Sequence, residues 1–388
     1  MLCSKIFSYF YTQKEKKTMD AELQNVIARF PQIRKIKEIK PIQSGLINRT
    51  YLIVTDEADD YVLQCINHQV FTDVDLLQHN IECVTSHIRA KLIARGEQDV
   101  ERKVLRFLST PDGKTYYFDG AHYWRVCVYI RGSHTQDEVT PDTAYLVGLK
   151  FGEFESMLAD LPDKLDETIP DFHNMEFRMA QLREAVQADK AGRREKVQAL
   201  IDGIGRDAEE MCLAERLYRE GKLPKRVCHC DTKVSNMLFD ADGKVLCIID
   251  LDTVMPSFVF SDFGDFLRTA ACTAAEDEPD TDKIHFNLEI FRAFAKGYLE
   301  SAVSFLTPLE IEMLPYAVRL FPYMQAVRFL TDYLNGDSYY RIQYAEHNRV
   351  RALAQYKLYQ EVCKALPEMY DFIKTQIHAD FRRLECNG

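Results

Sequence analysis

The stretch Arg226–Thr253, RVCHCDTKVSNMLFDADGKVLCIIDLDT, sets Asp231, Lys233, Asn236, Asp250 and Asp252 in one short run between segments that read as buried strands. KRVCHC, NMLFD and KVLCIID have the β-branched and apolar content of short strands, the last two joined by an Asp242-Gly243 turn. Asp and Asn often end strands for turn chemistry alone, and one such residue would mean little. Five polar residues at fixed spacing between apolar strands point to a shared task. A carboxylate directly after a strand is placed to meet a substrate hydroxyl. An amide oxygen five residues on and a carboxylate ending the next-but-one strand are hard ligands for a divalent cation. Mg²⁺ with a nucleoside triphosphate fits that set.

Upstream, IKEIKPIQSG, NRTYLIVT, DYVLQCIN, VLRFLST, TYYFDG and YWRVCVYI lie between Ile36 and Ile130, broken by Gly, Asp and Asn. Their β-branched and aromatic content predicts an antiparallel sheet, interrupted by one helix over Val74–Ala94. After RGSHTQDEVT the apolar spacing turns to three and four, as in AYLVGLKFGEFESMLADL, with Thr140 and Pro141 as cap and first-turn proline. The pattern predicts an α+β chain: a small antiparallel-sheet N-lobe over 19–132 and a larger, mostly helical C-lobe over 133–388. Residues 1–18 read as an extension, because the helical pattern MDAELQNVIARF opens at Met19, the expected translation start. QADKAGRREKVQ reads as a solvated helix face.

With 388 residues, 46% of them hydrophobic, the chain can bury a sizeable core. A net charge of −11 leaves no broad basic surface for nucleic-acid phosphates. The eleven cysteines show no repeated spacing and read as reduced thiols in a cytoplasm. The apolar run Ile6–Tyr11 is too short to cross a bilayer. Nucleic acid, membrane and obligatory protein partners are therefore not expected. A zinc site at Cys228, His229 and Cys230 is discounted, since adjacent strand residues point to opposite faces.

HCDTKVSN followed by IIDLDT resembles the catalytic loop and metal-binding aspartate of the kinase fold, H-x-D-x-K-x-x-N and then a later Asp. In that frame Asp231 is the general base and Lys233 brings positive charge to the transferred group. Asn236 and Asp250 hold Mg²⁺, and Asp252 either assists a second ion or caps the following turn. His229 organises the loop. SGLINRTYLI, YVLQCINHQVF, TIPDFHN, HCDTKVSNMLFD, IIDLDTVMPSFVFSDFGDFLR and RFLTDYLNGDSYY follow in order from Ser44 to Tyr340. Together they are similar to the phosphotransferase family that includes N-acetylhexosamine 1-kinase. The resemblance implies a bilobal protein-kinase-like fold with its site in the cleft, ATP and Mg²⁺ as cofactors, and a small-molecule sugar as substrate. It implies phosphorylation of N-acetylglucosamine and N-acetylgalactosamine at the anomeric hydroxyl.

For the nucleotide, Ser44, Gly45, Asn48 and Arg49 occupy the phosphate-covering turn, and Tyr129 and Ile130 fall where the lobes join and adenine would lie. The lysine usual on the strand YVLQCIN is missing: Gln64 and Cys65 stand there. Gln64 can hydrogen-bond phosphate without charge, so either another cation serves, Arg49 being the candidate, or nucleotide affinity is modest. Cys230 stands where many small-molecule kinases of this fold have Gly, which makes that backbone less permissive. For the sugar, Asp262 and Asp265 bind hydroxyls or cap a helix, while Arg328 and Asp332, at i and i+4, contact the sugar or pair with each other. Asp231 itself meets the acceptor, and His173 and Asn174 are further candidates. The same architecture would serve another sugar, an amino alcohol or an aminoglycoside. The missing lysine also leaves open a catalytically silent nucleotide-binding protein, against which the complete set Asp231, Lys233, Asn236 and Asp250 stands.

Overall fold

The structure, a computed structural model, describes residues 22–42 and 47–386, with side chains as far as 376. The expected extension, Met19, Ser44 and Gly45 lie outside the described residues. The chain divides into two compact units, Met1–His79 with Asp99–Gly132 and Asn80–Gln98 with Ser133–Gly388.

In the first unit a helical segment at 22–27 (α1) precedes one antiparallel sheet. Its strands are β1 (Ile36–Ile42), β2 (Arg49–Thr55), β3 (Asp60–Ile66), β4 (Tyr116–Phe118) and β5 (Tyr123–Tyr129), in the order β1-β2-β3-β5-β4. Strand alternation turns Tyr51, Ile53, Tyr61, Leu63, Cys65, Trp124 and Val126 to one face, where Leu23, Val26, Ile27, Phe30 and Ile33 cover them. Each large side chain buried there contributes about 1.5–3 kcal/mol of transfer free energy. VLRFLST is not the expected strand. It lies along β5 beyond the short β4, through Leu108 N–H to Val126 O (2.8 Å) and Val128 N–H to Arg106 O (2.9 Å), and forms only an isolated bridge at Phe107.

Helix α2 runs over Val74–Ala94, as its spacing predicts. From Asn80 onward it belongs to the second unit, unlike the boundary expected from sequence, and polar side chains tie it there. Asn80 Nδ2 donates to Asp166 O (2.8 Å) and Val254 O (2.9 Å), and His87 and Lys91 both reach Asp160. The other helices are α3 (Pro141–Leu158), α4 (Met175–Ala188), α5 (Gln198–Met211), α6 (Leu213–Arg219), α7 (Phe260–Ala270), α8 (Leu288–Ala302), α9 (Pro308–Glu312), α10 (Leu314–Asn335) and α11 (His347–Cys386). Thr140 Oγ1 accepts from Thr143 N–H (3.2 Å) and caps α3. Helices α3 and α8 cross closely at Gly148 and Gly297, where a Cβ on either would enter the backbone of the other.

QADKAGRREKVQ is a connection between helices rather than one continuous helix face. Asp189 ends α4 in the left-handed region (φ 39°), and its Oδ1 accepts from Arg193 N–H (2.8 Å) and Arg194 N–H (3.0 Å). Two small ribbons complete the unit: β6 (Arg226–Cys228) pairs with β9 (Met255–Ser257), and β7 (Met237–Phe239) with β8 (Val245–Ile248). Among the described residues no helix is long and apolar enough to cross a membrane, and the described cysteines form no disulfide.

Candidate active site

Strand β6 leads into the site. His229 follows it fully buried, its ring edge-on to Phe151 and Phe154. The backbone N–H of Asp231 meets His229 Nδ1 (3.3 Å), so the proton sits on Nε2, which donates to Ile249 O (2.9 Å). The ring thus ties the start of the loop to the end of β8. Cys230 adopts φ 62°, the left-handed conformation that Gly takes at no cost. Its backbone makes the turn that directs Asp231 away from the apolar cluster of Cys228, Cys230 and Met255.

Asp231 is half-buried. Its Oδ2 accepts from Lys233 Nζ (2.8 Å) and Asn236 Nδ2 (3.1 Å), and Asn236 Nδ2 also reaches Asp231 O (2.9 Å). Its Oδ1 has no hydrogen-bond partner among the described residues. Burial pushes the Asp231 carboxyl up, yet the Lys233 ammonium and His229 bring it below the ordinary value. It is therefore ionised near neutral pH. Burial alone would lower Lys233, but Asp231, Asp250 and Asp265 hold its pKa above the ordinary value.

The donor set beside the loop suits a hard divalent cation. Asn236 spends its amide NH₂ on Asp231, which leaves its oxygen for a ligand. Asp250 sits at φ 62° as the residue before the 3-10 turn Leu251–Thr253, and its carboxylate makes no hydrogen bond among the described residues. Burial and the neighbouring charges of Asp252 and Asp231 push its carboxyl up, a repulsion that a bound cation would relieve. Strand β8 ends at Ile248 and Leu251–Thr253 form a short 3-10 turn. Asp252 therefore does not follow Asp250 along an extended strand, although its charge lies beside Asp250.

Asp262, expected at the sugar or as a helix cap, has another task. It is fully buried on α7, and its two carboxylate oxygens accept from His229 N–H and Cys230 N–H, each at 2.7 Å. Fully buried behind the loop, this carboxylate is not open to a sugar hydroxyl. Behind it Tyr298 donates to Glu155. Burial and the adjacent Asp262 raise Glu155 well above the carboxylate range. As a carboxylate its Oε1 would be buried without a partner; as an acid it donates to Asp262. Glu155, Cys228 and Asp262 approach within 4.8 Å of one another. Because Cys228 Sγ donates to Phe258 O (3.3 Å) and Asp262 is fully engaged, this trio shares protons rather than offering metal ligands. Neither Glu155 nor Tyr298 has a sequence signal beyond helix periodicity.

Asp265 pairs with Arg268 (3.1 Å) and feels the charges of Asp231 and Lys233. Arg328 and Asp332 do not pair. Asp332 is buried, and its oxygens accept from Ser338, Tyr339 and Tyr340 N–H (2.8–2.9 Å) and from Asn348 Nδ2 (2.9 Å), which makes it the anchor of the turn after α10. Arg328 lies over the rings of Phe172 (5.3 Å) and Tyr340 (5.7 Å) and donates to Gln325 (3.2 Å). His173 stacks on Phe172 (4.4 Å) and meets Ser261 Oγ (3.0 Å). Burial, with Arg328, Arg178 and Arg268 nearby, lowers its pKa and keeps it neutral. Asn174 caps α4 through Phe177 N–H (3.1 Å). A cavity of about 150 Å³ near Cys230, Phe172 and His173 is below the roughly 300–1,000 Å³ of ordinary ligand pockets.

In the first unit, Asn48 Oδ1 accepts from Asn67 N–H (2.9 Å) and fixes the turn before β2. Arg49, the candidate replacement cation, lies over Trp124 (5.5 Å) and against Cys65 Sγ (3.1 Å), on the covered face of the sheet. Gln64 is on the other face, where its Oε1 accepts from Arg125 Nε (2.9 Å), a residue the sequence did not single out. Tyr129 closes β5, with Ile130 buried after it and Arg131 doubly bonded to Asp60 (2.7 and 2.8 Å).

The sequence model of the phosphotransferase enzyme family matches residues 38–299. An aminoglycoside phosphotransferase from Alicyclobacillus acidocaldarius superposes with a TM-score of 0.58 at 14% identity, over 91% of this chain and 96% of that one. The amicoumacin kinase hAmiN, in complex with AMP-PNP, Ca²⁺ and Ami, gives 0.56 at 14% identity over 90% and 96%. The Plasmodium vivax ethanolamine kinase gives 0.52 at 15% over 84% of each. At these identities the likenesses establish the fold, which is protein-kinase-like.

Proposed function

This chain belongs to the phosphotransferase enzyme family, and from that premise we propose that it transfers the γ-phosphoryl group of ATP to the anomeric hydroxyl of an N-acetylhexosamine. The observation that carries the reading is Asp231, with one oxygen held by Lys233 and Asn236 and the other open. A carboxylate kept ionised and aimed in this way takes the proton of an attacking hydroxyl. Lys233 keeps Asp231 oriented and places its charge next to the γ-phosphoryl group. Asn236 and Asp250 are the residues that would hold Mg²⁺, which when bound would neutralise phosphate charge. The loop needs no adjustment to act, because Asp262 and His229 already fix its backbone.

The acceptor is placed on Arg328, Phe172 and Tyr340. A planar guanidinium among aromatic rings suits hydroxyls and an acetamido carbonyl. Arg178, Arg268 and Arg328 gather around His173, and that positive surrounding disfavours the ammonium groups of an amino alcohol or aminoglycoside. Asp265, paired with Arg268 and near enough to feel the charge of Asp231, is the carboxylate assigned to accept from a sugar hydroxyl. Nucleotide phosphates are assigned to the turn of Ser44, Gly45 and Asn48 and to Gln64, adenine to Tyr129 and Ile130, and Asp252 to supporting Asp250.

ADP release with N-acetylglucosamine, N-acetylgalactosamine, ethanolamine and an aminoglycoside as separate acceptors tests this. Turnover with the two acetamido sugars is expected. Turnover with an amine and none with either sugar overturns the acceptor assignment, and nucleotide binding without turnover on any acceptor favours a silent binding protein.

A further inference from the structure

The pairing of β3 with β5 sets Gln64 opposite Arg125. Their side chains share the sheet face opposite the one that carries Cys65 and Trp124 and is covered by residues 23–33. Arg125 is buried; its Nε donates to Gln64 Oε1 (2.9 Å) and its Nη1 to Gln78 Oε1 (3.2 Å), with the guanidinium over Phe107 (5.5 Å). A guanidinium has no acceptor, so the atom of Gln64 that meets it is the amide oxygen and the NH₂ points away. Gln78 spends its own NH₂ on Thr115 Oγ1 (2.8 Å). The NH₂ of half-buried Gln64 has no hydrogen bond to any described residue. The result is an amide donor of fixed direction, polarised by a cation behind it.

We propose that Arg125 is a positioning residue that acts through Gln64, holding and polarising its amide so that Nε2–H binds an α- or β-phosphate oxygen of the nucleotide. Kinases of this fold place a lysine on the corresponding strand. Here the charge sits one strand away and reaches the phosphate through a neutral amide. Arg49 cannot do this work, because it projects from the other face of the sheet. The inference rests on the ATP-dependent reading and deepens it at one site.

Calorimetric binding of ADP and of adenosine to the wild type, Gln64→Leu, Arg125→Met and Arg125→Lys tests it, since only ADP carries the phosphates. Losing a hydrogen bond to a charged group weakens ADP by about tenfold or more in Gln64→Leu and Arg125→Met, with adenosine affinity unchanged. Arg125→Lys, which keeps a charge and a donor at that place, regains most of the loss. Equal weakening of ADP and adenosine would mean that Arg125 only supports the sheet and would overturn the proposal. Unchanged ADP affinity in Gln64→Leu does the same, and that half-buried position gives the answer even where Arg125→Met does not fold. A wild type that binds neither compound overturns the ATP-dependent reading as well.

Discussion

Replacing Asp262 tests whether the loop geometry originates behind the loop. Its carboxylate accepts two backbone N–H groups at 2.7 Å in a site without solvent exposure. Hydrogen bonds to a buried charge are worth about 1.5–3 kcal/mol each. Asp262→Ala removes both and strands two donors, so it costs roughly 3–6 kcal/mol. Asp262→Asn keeps the shape and one acceptor oxygen but turns an NH₂ toward the second N–H, at a cost of roughly 1.5–3 kcal/mol. Where that cost falls on the poise of the loop, kcat drops by about 10- to 150-fold, because Asp231 directly follows the anchored Cys230. Where it falls on the whole fold, the melting temperature drops. Steady-state kinetics and thermal unfolding of Asp262→Asn, measured side by side, register either outcome. Wild-type kcat together with a wild-type melting temperature in that variant would refute the anchoring role.

Glu155→Gln keeps a donor toward Asp262 and an acceptor for Tyr298, and unfolding should show it within about 1 kcal/mol of the wild type, whereas Glu155→Leu, which strands both partners, loses about 2–4 kcal/mol; equal stability of the two variants counts against the shared proton. Glu215 is buried, with one oxygen on Met175 N–H (2.5 Å) and the other without a partner, and burial raises its carboxyl from 4.5 to about 7. The unfolded chain releases that proton near 4.5 and the folded protein near 7, so stability falls as pH rises across this window, by about 3 kcal/mol in total. Melting curves at pH 5 and pH 8 should show Glu215→Gln losing less than the wild type on going to the higher pH, and an identical loss would contradict the assignment. At Cys230 (φ 62°), Gly relieves a strain of about 1–2 kcal/mol while giving up the buried thiol, so kcat should stay within about threefold, whereas β-branched Val should lose activity; a Val variant as active as Gly would show that the left-handed turn is not needed.

The loop was legible because its chemistry is local. Asp231, Lys233, Asn236 and Asp250 stand in a few residues between apolar strands, and no tertiary knowledge is needed to see that they converge. The carboxylates around it were harder to read. Asp262 and Asp332 carry the acid-at-a-helix pattern that either a sugar hydroxyl or a set of backbone N–H groups would explain. Only the fold shows that the partner of Asp262 is His229, 33 residues upstream, and that those of Asp332 are Ser338–Tyr340 in the next turn. Arg125 looks like an ordinary polar position on β5 until β3 is laid beside it in register. VLRFLST has strand composition but meets only the outer edge of β5, whereas MPS, with a proline and no alternation, becomes β9 because β6 needs a partner. Asp189 broke a helix that charge patterning had continued, through side-chain bonds to the next turn.

Phosphorus NMR of the protein with ATP, Mg²⁺ and N-acetylglucosamine or N-acetylgalactosamine, run beside Asp231→Asn, tests the central claim most directly. The expected result is a new phosphorus resonance coupled to the anomeric proton, formed roughly 10²- to 10⁴-fold more slowly by the variant. Phosphate appearing on another position or on neither sugar, or formed at the same rate by Asp231→Asn, would contradict it.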